Sequence, residues 1–480
     1  MLTEGIRQRD LWPASTEHMH TRLRGAGLAL AVVLVAGACA SAVASPTPSG
    51  GPTFTPSPTN SAWPTDSASP TPTPTPTATS SPSPTSAAVN FDTALGKAKL
   101  LAPAADGGVL AGTELNDFGI DLLRRLDSSG NLCASPTSIA LALAMVRAGA
   151  RGTTATEIDN VLHQFGTTGQ ASEIVALLKA LKGLTDAGTK PADELDVANA
   201  VFSQKGMNLE QAYLDALSSG FGAGVGLLDF QNDPESARLT INQWASKSTK
   251  GLIPAVLQQG DITNATRIAL ADAIYLKAAW DHQFEPTATK SLPFTRSDGS
   301  KVSVPTMAID TSFQYAAGTG YRAVQLPFKS SASMTFIVPD NMASFVAGLT
   351  AAQFGTIEHQ FTARSVDLTL PRFSTESRVD LANVLAAMGM PTAFGNADLS
   401  GITLDEPLTI DHVIHQANIV VGEDGVIASA VTVVTGKSTV GPPPSPVTFH
   451  IDKPFLYFIQ ERSTGAILFM GRIDDPSATT

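Results

Sequence analysis

The chain has 480 residues, 43% of them hydrophobic and 15% charged, which suits one large domain or two ordinary ones around a sizeable core. A net charge of −12 excludes the basic excess that neutralises nucleic-acid phosphates, so no nucleic acid is expected as a partner.

Arg22 and Arg24 precede an unbroken apolar stretch from Gly25 to Ala40 that ends in small residues, so residues 1–44 read as an export signal. Met19, close ahead of the two arginines, is a possible true start. Three fates stay open for this segment. Val35-Ala36-Gly37-Ala38-Cys39 resembles a bacterial lipobox in which Cys39 becomes the lipidated residue; cleavage after Ala44 would release the protein; and the apolar run is long enough to stay as an anchor. Each puts the rest of the chain outside the cell, at the cell surface or secreted, with no other contact with a membrane.

From Ser45 to Ser86 the sequence is almost wholly Pro, Thr, Ser, Gly and Ala, a composition that buries no core and favours extended polyproline II. At about 3.1 Å per residue this stalk reaches on the order of 130 Å. Residues 87–480 then form the folded domain. Cys39 and Cys133 are the only cysteines, so the mature domain has no structural disulfide, and Cys133 is expected to be a buried small hydrophobe.

Leu115, Phe118, Leu122, Leu123 and Leu126 recur at helical spacing, and Ile139, Leu141, Leu143, Met145 and Val146 belong to a second helix opened by Ser135-Pro136-Thr137-Ser138. Further along, Val366, Leu368 and Leu370 alternate with polar residues, and Leu408-Thr409-Ile410 and Phe455-Leu456-Tyr457-Phe458-Ile459 are short β-rich runs. Helices early and strands late favour an α+β architecture.

Catalytic signatures are missing: the chain has no Gly-x-Ser-x-Gly, His-Glu-x-x-His, Walker loop or Ser-x-x-Lys. Gly220, Gly222, Gly224 and Gly226 lack the spacing of a nucleotide loop and read as a flexible turn. His412 and His415 stand in a β-rich stretch that sends them to opposite faces, as sheet or core residues and not a metal pair. No metal or cofactor is implied.

The run Val426-Ile427-Ala428-Ser429-Ala430-Val431-Thr432-Val433-Val434-Thr435 has strong β propensity and no charge or proline, and it leads into Gly436-Lys437-Ser438-Thr439-Val440-Gly441-Pro442-Pro443-Pro444. A strand-ready segment thus feeds an obvious exposed loop. The residues around it, and others spread along the chain, resemble the serpin family. Asn131 to Ile139 with Gly149-Ala150-Arg151-Gly152-Thr153-Thr154 is similar to the family's early helix motif, and Ala198-Asn199-Ala200-Val201-Phe202 to a strand of its main sheet. Ile241-Asn242-Gln243-Trp244, Ala273-Ile274-Tyr275-Leu276-Lys277 with Trp280, Leu370-Pro371-Arg372-Phe373 and Lys453-Pro454-Phe455-Leu456 match as well, so that the resemblance spans residues 113 to 474.

The resemblance implies three β-sheets, eight or nine helices and an exposed reactive loop, in a monomer that is no enzyme. It inhibits serine proteases through a covalent acyl-enzyme complex, as the cleaved loop inserts into the main sheet. Glu423, Asp424, Gly425, Val426, Ile427, Ala428, Ser429 and Ala430 correspond to the hinge. Counting seventeen residues from Glu423 puts the reactive bond between Thr439 and Val440, suited to elastase-like or subtilisin-like proteases; Lys437–Ser438 is the trypsin-like alternative. Ser135, Ser138, Asp272 and His415 correspond to the region under the opening sheet. Alternate loop residues Val426, Ala428, Ala430, Thr432 and Val434 are small or apolar, as an inserted central strand requires. Two departures stand out. Val426-Ile427 replace the usual Thr-Glu, which keeps a non-inhibitory binding or structural serpin as the alternative, and Asp272 replaces the usual Asn.

Overall fold

The computed structural model describes residues 89–126, 129–167, 169–186, 194–426 and 446–478. The export segment, the stalk, Cys39 and the loop positions Ile427, Ala428, Ser429, Ala430, Lys437, Ser438, Thr439 and Val440 lie outside the described residues.

In chain order the first elements are β1 (Asp92–Ala94), α1 (Gly107–Leu123), β2 (Leu132–Ala134), α2 (Pro136–Gly149), α3 (Gly152–Val161), α4 (Ala171–Asp186), β3 (Glu194–Gln204), α5 (Gln211–Phe221), β4 (Val225–Leu228) and α6 (Pro234–Ser248). Next come β5 (Ile268–Ala279), β6 (Lys290–Thr295), β7 (Lys301–Gly318), β8 (Tyr321–Pro327), β9 (Ala332–Pro339), α7 (Met342–Gly348), α8 (Ala351–His359), β10 (Thr362–Pro371), β11 (Phe373–Asp380) and α9 (Ala382–Met388). The chain closes with β12 (Ile414–Gly422), β13 (Gly425–Val426), β14 (Val447–His450), β15 (Phe455–Glu461) and β16 (Ile467–Ile473).

The helical periodicity is borne out. Leu115, Phe118, Leu122 and Leu123 form the buried stripe of α1, while α2 is buried almost all round and lies inside the molecule. Ser135 caps α2 as its sequence suggests: its Oγ accepts the Ser138 N–H at 3.2 Å, and Pro136 takes the first helical position. Val366, Leu368 and Leu370 are fully buried along β10, and Cys133 is buried in β2.

Two expectations fail locally. Leu408-Thr409-Ile410 forms no strand; Leu408 and Ile410 are buried, and the Ile410 N–H donates to the Ala393 carbonyl at 3.2 Å, so the apolar side chains anchor a loop. The four glycines are not a flexible turn. Gly220 lies in α5, Gly222 ends that helix at φ 63°, and Gly226 lies in β4.

One sheet has seven strands in the order β1-β4-β3-β5-β13-β12-β11. The long β7 serves two others: it pairs with β6 and with β10, which in turn pairs with β14, and its last residues, 314–318, pair with β8, beyond which lie β9, β15, β16 and β2. The fold is thus α+β with three sheets. Most buried apolar residues form one core. A smaller cluster, with Phe202 of β3, Ala271 of β5, Ile414 of β12 and Ile241 of α6, packs α6 onto the seven-stranded sheet.

The candidate hinge and the seam between β5 and β12

After β12 the chain reverses at Glu423 and Asp424 and runs back as β13 between β12 and β5. Gly425 pairs with Gly422 on one side and Ala279 on the other, and Val426 with Val421 and Ala278. Val426 is buried in the main core, as its inward position in the alternation requires. Gly425 has φ 142°, and a Cβ there would collide with the Ala278 carbonyl, so this position admits only glycine.

Trp280 holds the reversal at two carbonyls. Its indole N–H donates to the Gly422 carbonyl at 2.9 Å and its backbone N–H to the Asp424 carbonyl at 2.9 Å, while the ring stacks on Phe328. The Glu423 carbonyl accepts the Phe284 N–H at 3.1 Å. The Glu423 carboxylate accepts the Thr289 hydroxyl at 2.7 Å and pairs with Arg372 at 3.3 Å. This nearly buried acid is therefore compensated on both oxygens. The anchoring role of Trp280 escapes a residue-by-residue reading, because nothing in its neighbours marks the carbonyls it will meet.

Below β13, β5 and β12 share no strand register among the described residues, and β13 is what stands between them in the sheet order. Lower in the same seam the structure brings Ser135, Ser138, Asp272 and His415 together, as expected from the sequence. His415 Nδ1 lies 3.1 Å from both carboxylate oxygens of Asp272, and the Ser135 N–H donates to Nε2 at 3.0 Å. Both side chains are buried. Nε2 accepts the bond from Ser135, which leaves Nδ1 to carry the hydrogen that faces Asp272. Ser138 Oγ donates to Asn199 Oδ1 at 3.0 Å, and Asn199 stands directly opposite Asp272 in the β3–β5 register. Asn199 is thus a further member of the cluster, found through the register and not through the motif that contains it.

His412 lies outside this site, exposed and 2.7 Å from Asp380, so the two histidines are not brought together.

A family model described as serpin (serine protease inhibitor) matches residues 113–476. The chain belongs to the serpin family. This serpin is 34% identical to human Serpin B3 over 387 residues, which cover 75% of the chain and 97% of that protein. It is 32% identical to the human leukocyte elastase inhibitor over 381 residues, with the same 75% and 97% coverage. A serpin-like protein of Methanosarcina mazei is 31% identical over 374 residues, covering 75% of this chain and 86% of the other. Among solved structures, the native state of the thermophilic serpin tengpin aligns with TM-score 0.71 at 24% identity over 80% of this chain and 99% of that one. Human thyroxine-binding globulin aligns with TM-score 0.68 at 27% identity over 78% and 100%. This serpin is accordingly of the protease-inhibitor kind and not an enzyme, and serine proteases are its partner class.

Proposed function

We infer that this serpin is a suicide-substrate inhibitor acting outside the cell, tethered through Cys39 or another N-terminal anchor, or released. The target's serine Oγ attacks the Thr439 carbonyl carbon, the Thr439–Val440 bond breaks, and the Val440 amine leaves with a proton. Thr439 stays esterified to the protease. The freed strand then enters the seven-stranded sheet before water can hydrolyse the ester.

One observation carries this function: Gly425 and Val426 already occupy strand positions between β5 and β12, so Val426 stands at the mouth of the gap that an inserting strand would fill. The uncharged, proline-free run that follows fits the same gap. A small residue at Thr439 suits elastase-like or subtilisin-like proteases, in keeping with relatives named leukocyte elastase inhibitor.

The test is incubation with elastase-like, subtilisin-like and trypsin-like proteases. The expected result is an SDS-resistant complex that releases a C-terminal peptide beginning at Val440. A peptide beginning at Ser438 would move the bond to Lys437. Clean cleavage without a complex, and without a gain in heat stability, would make this a non-inhibitory binding serpin; Val426-Ile427 in place of Thr-Glu is the feature that favours that second reading.

A further inference from the structure

Residues 89–106 lie ahead of the region that the family model matches, yet they are tightly built into the body. β1 pairs antiparallel with β4, Asp92 opposite Leu227, Thr93 opposite Gly226 and Ala94 opposite Val225, which adds a strand to the flank of the seven-stranded sheet. Phe91 meets the Phe202 ring edge-on at 5.2 Å, and Phe202 meets Trp244 of α6 at 5.7 Å, so the segment continues the cluster that seats α6. A Cβ at Gly226 would lie 2.6 Å from the Phe202 ring and 2.9 Å from that of Phe91, so β4 leaves room for this packing only as glycine.

Directly after β1 the chain leaves the sheet for the helices. The Gly96 N–H donates to Ser218 Oγ at 2.9 Å, and the Lys97 and Ala98 N–H groups donate to Asp215 Oδ1 at 2.6 and 3.2 Å. The Leu101 N–H then donates to the Ser219 carbonyl at 2.9 Å and the Ala104 N–H to the Ser172 carbonyl at 3.0 Å. Only Leu95 separates the last residue of the ladder from the first residue bonded to α5. Two residues reach at most about 7 Å, so the strap has no slack. The flank of the sheet cannot shift away from α5 unless either the β1 ladder or the bonds to α5 break.

We propose that this strap is a brake on opening of the β5–β12 seam, tying β4 to α5 and α4 so that the half-sheet β1-β4-β3-β5 resists displacement as a unit. The proposal rests on the insertion mechanism above for its purpose, but not for its test. Interactions lost on the way to an opened sheet raise the barrier to opening, so weakening the strap speeds opening.

The experiment uses the full chain with Asp215→Ala, which removes the acceptor shared by Lys97 and Ala98, with Asp215→Asn, which keeps an acceptor oxygen, and with Phe91→Ala. Amide hydrogen exchange along β5 and β12 is measured in the uncleaved protein, together with the time the loop stays open to a non-target protease. Expected are seam amides exchanging roughly tenfold faster and a loop that closes off roughly tenfold sooner in Asp215→Ala and Phe91→Ala, with Asp215→Asn near the parent. Free exchange confined to residues 92–98, with the seam unchanged, would overturn the proposal. If the parent forms no protease complex, the inhibitory function fails on its own, and the seam exchange still decides the strap.

Discussion

The seven-stranded sheet and the sheet built on β15 and β16 are made from different materials. Every residue of β15 and β16 is buried, and Phe455 sits among the rings of Phe294, Phe336 and Phe373. In the other sheet, the seam between β5 and β12 is held by a carboxylate, an imidazole and the backbone N–H of the residue that caps α2, with a glycine at the one point where a third strand begins. Apolar interdigitation is non-directional and is lost only as a whole, whereas hydrogen bonds across a seam can be exchanged one for another. The seam of the first sheet is therefore the easier of the two to part.

The largest effect that would sharpen this contrast belongs to the permanent half. Phe455→Ala is expected to cost about 3–5 kcal/mol in chemical denaturation, through lost transfer energy and a cavity lined by three rings. A loss comparable to that of a surface substitution would break the comparison. Next comes Gly425→Ala, which forces a side chain onto the Ala278 carbonyl at a backbone angle that L-residues avoid. It is expected to cost roughly 1–3 kcal/mol and to free β13, seen as rapid exchange of the Ala278 and Trp280 amides while β15 stays protected. The finest test is Asp272→Asn, which exchanges the carboxylate facing His415 Nδ1 for an amide with one acceptor oxygen. The seam is expected to loosen slightly, with amides of β5 and β12 exchanging about threefold faster while those of β15 are unchanged. Unchanged exchange at the seam would make the aspartate a neutral replacement.

The two halves also differed in how far the sequence announced them. Repeating apolar residues made α1, α2, β10 and β15 legible, because burial at a fixed period needs no knowledge of the partner surface. Ser135, Ser138, Asp272 and His415 were legible as one site only through family resemblance, since 280 positions separate Ser135 from His415. Asp92-Thr93-Ala94 carries no strand pattern at all. It is a strand because β4 offers a free edge and Phe91 a ring contact, and both are tertiary facts. Leu408 and Ile410 misled in the opposite sense: their apolar side chains serve a loop, where local propensity yields to the surface it covers.

β1 has a consequence for solutions in which many copies meet. A bare β4 would offer its row of unpaired N–H and carbonyl groups to any strand from another molecule. With β1 in place, that flank ends in three residues, one of them Asp92 in an ion pair with Lys205 at 3.4 Å, too short and too polar to template a neighbour. The sheet thereby leaves little for a foreign strand on this side.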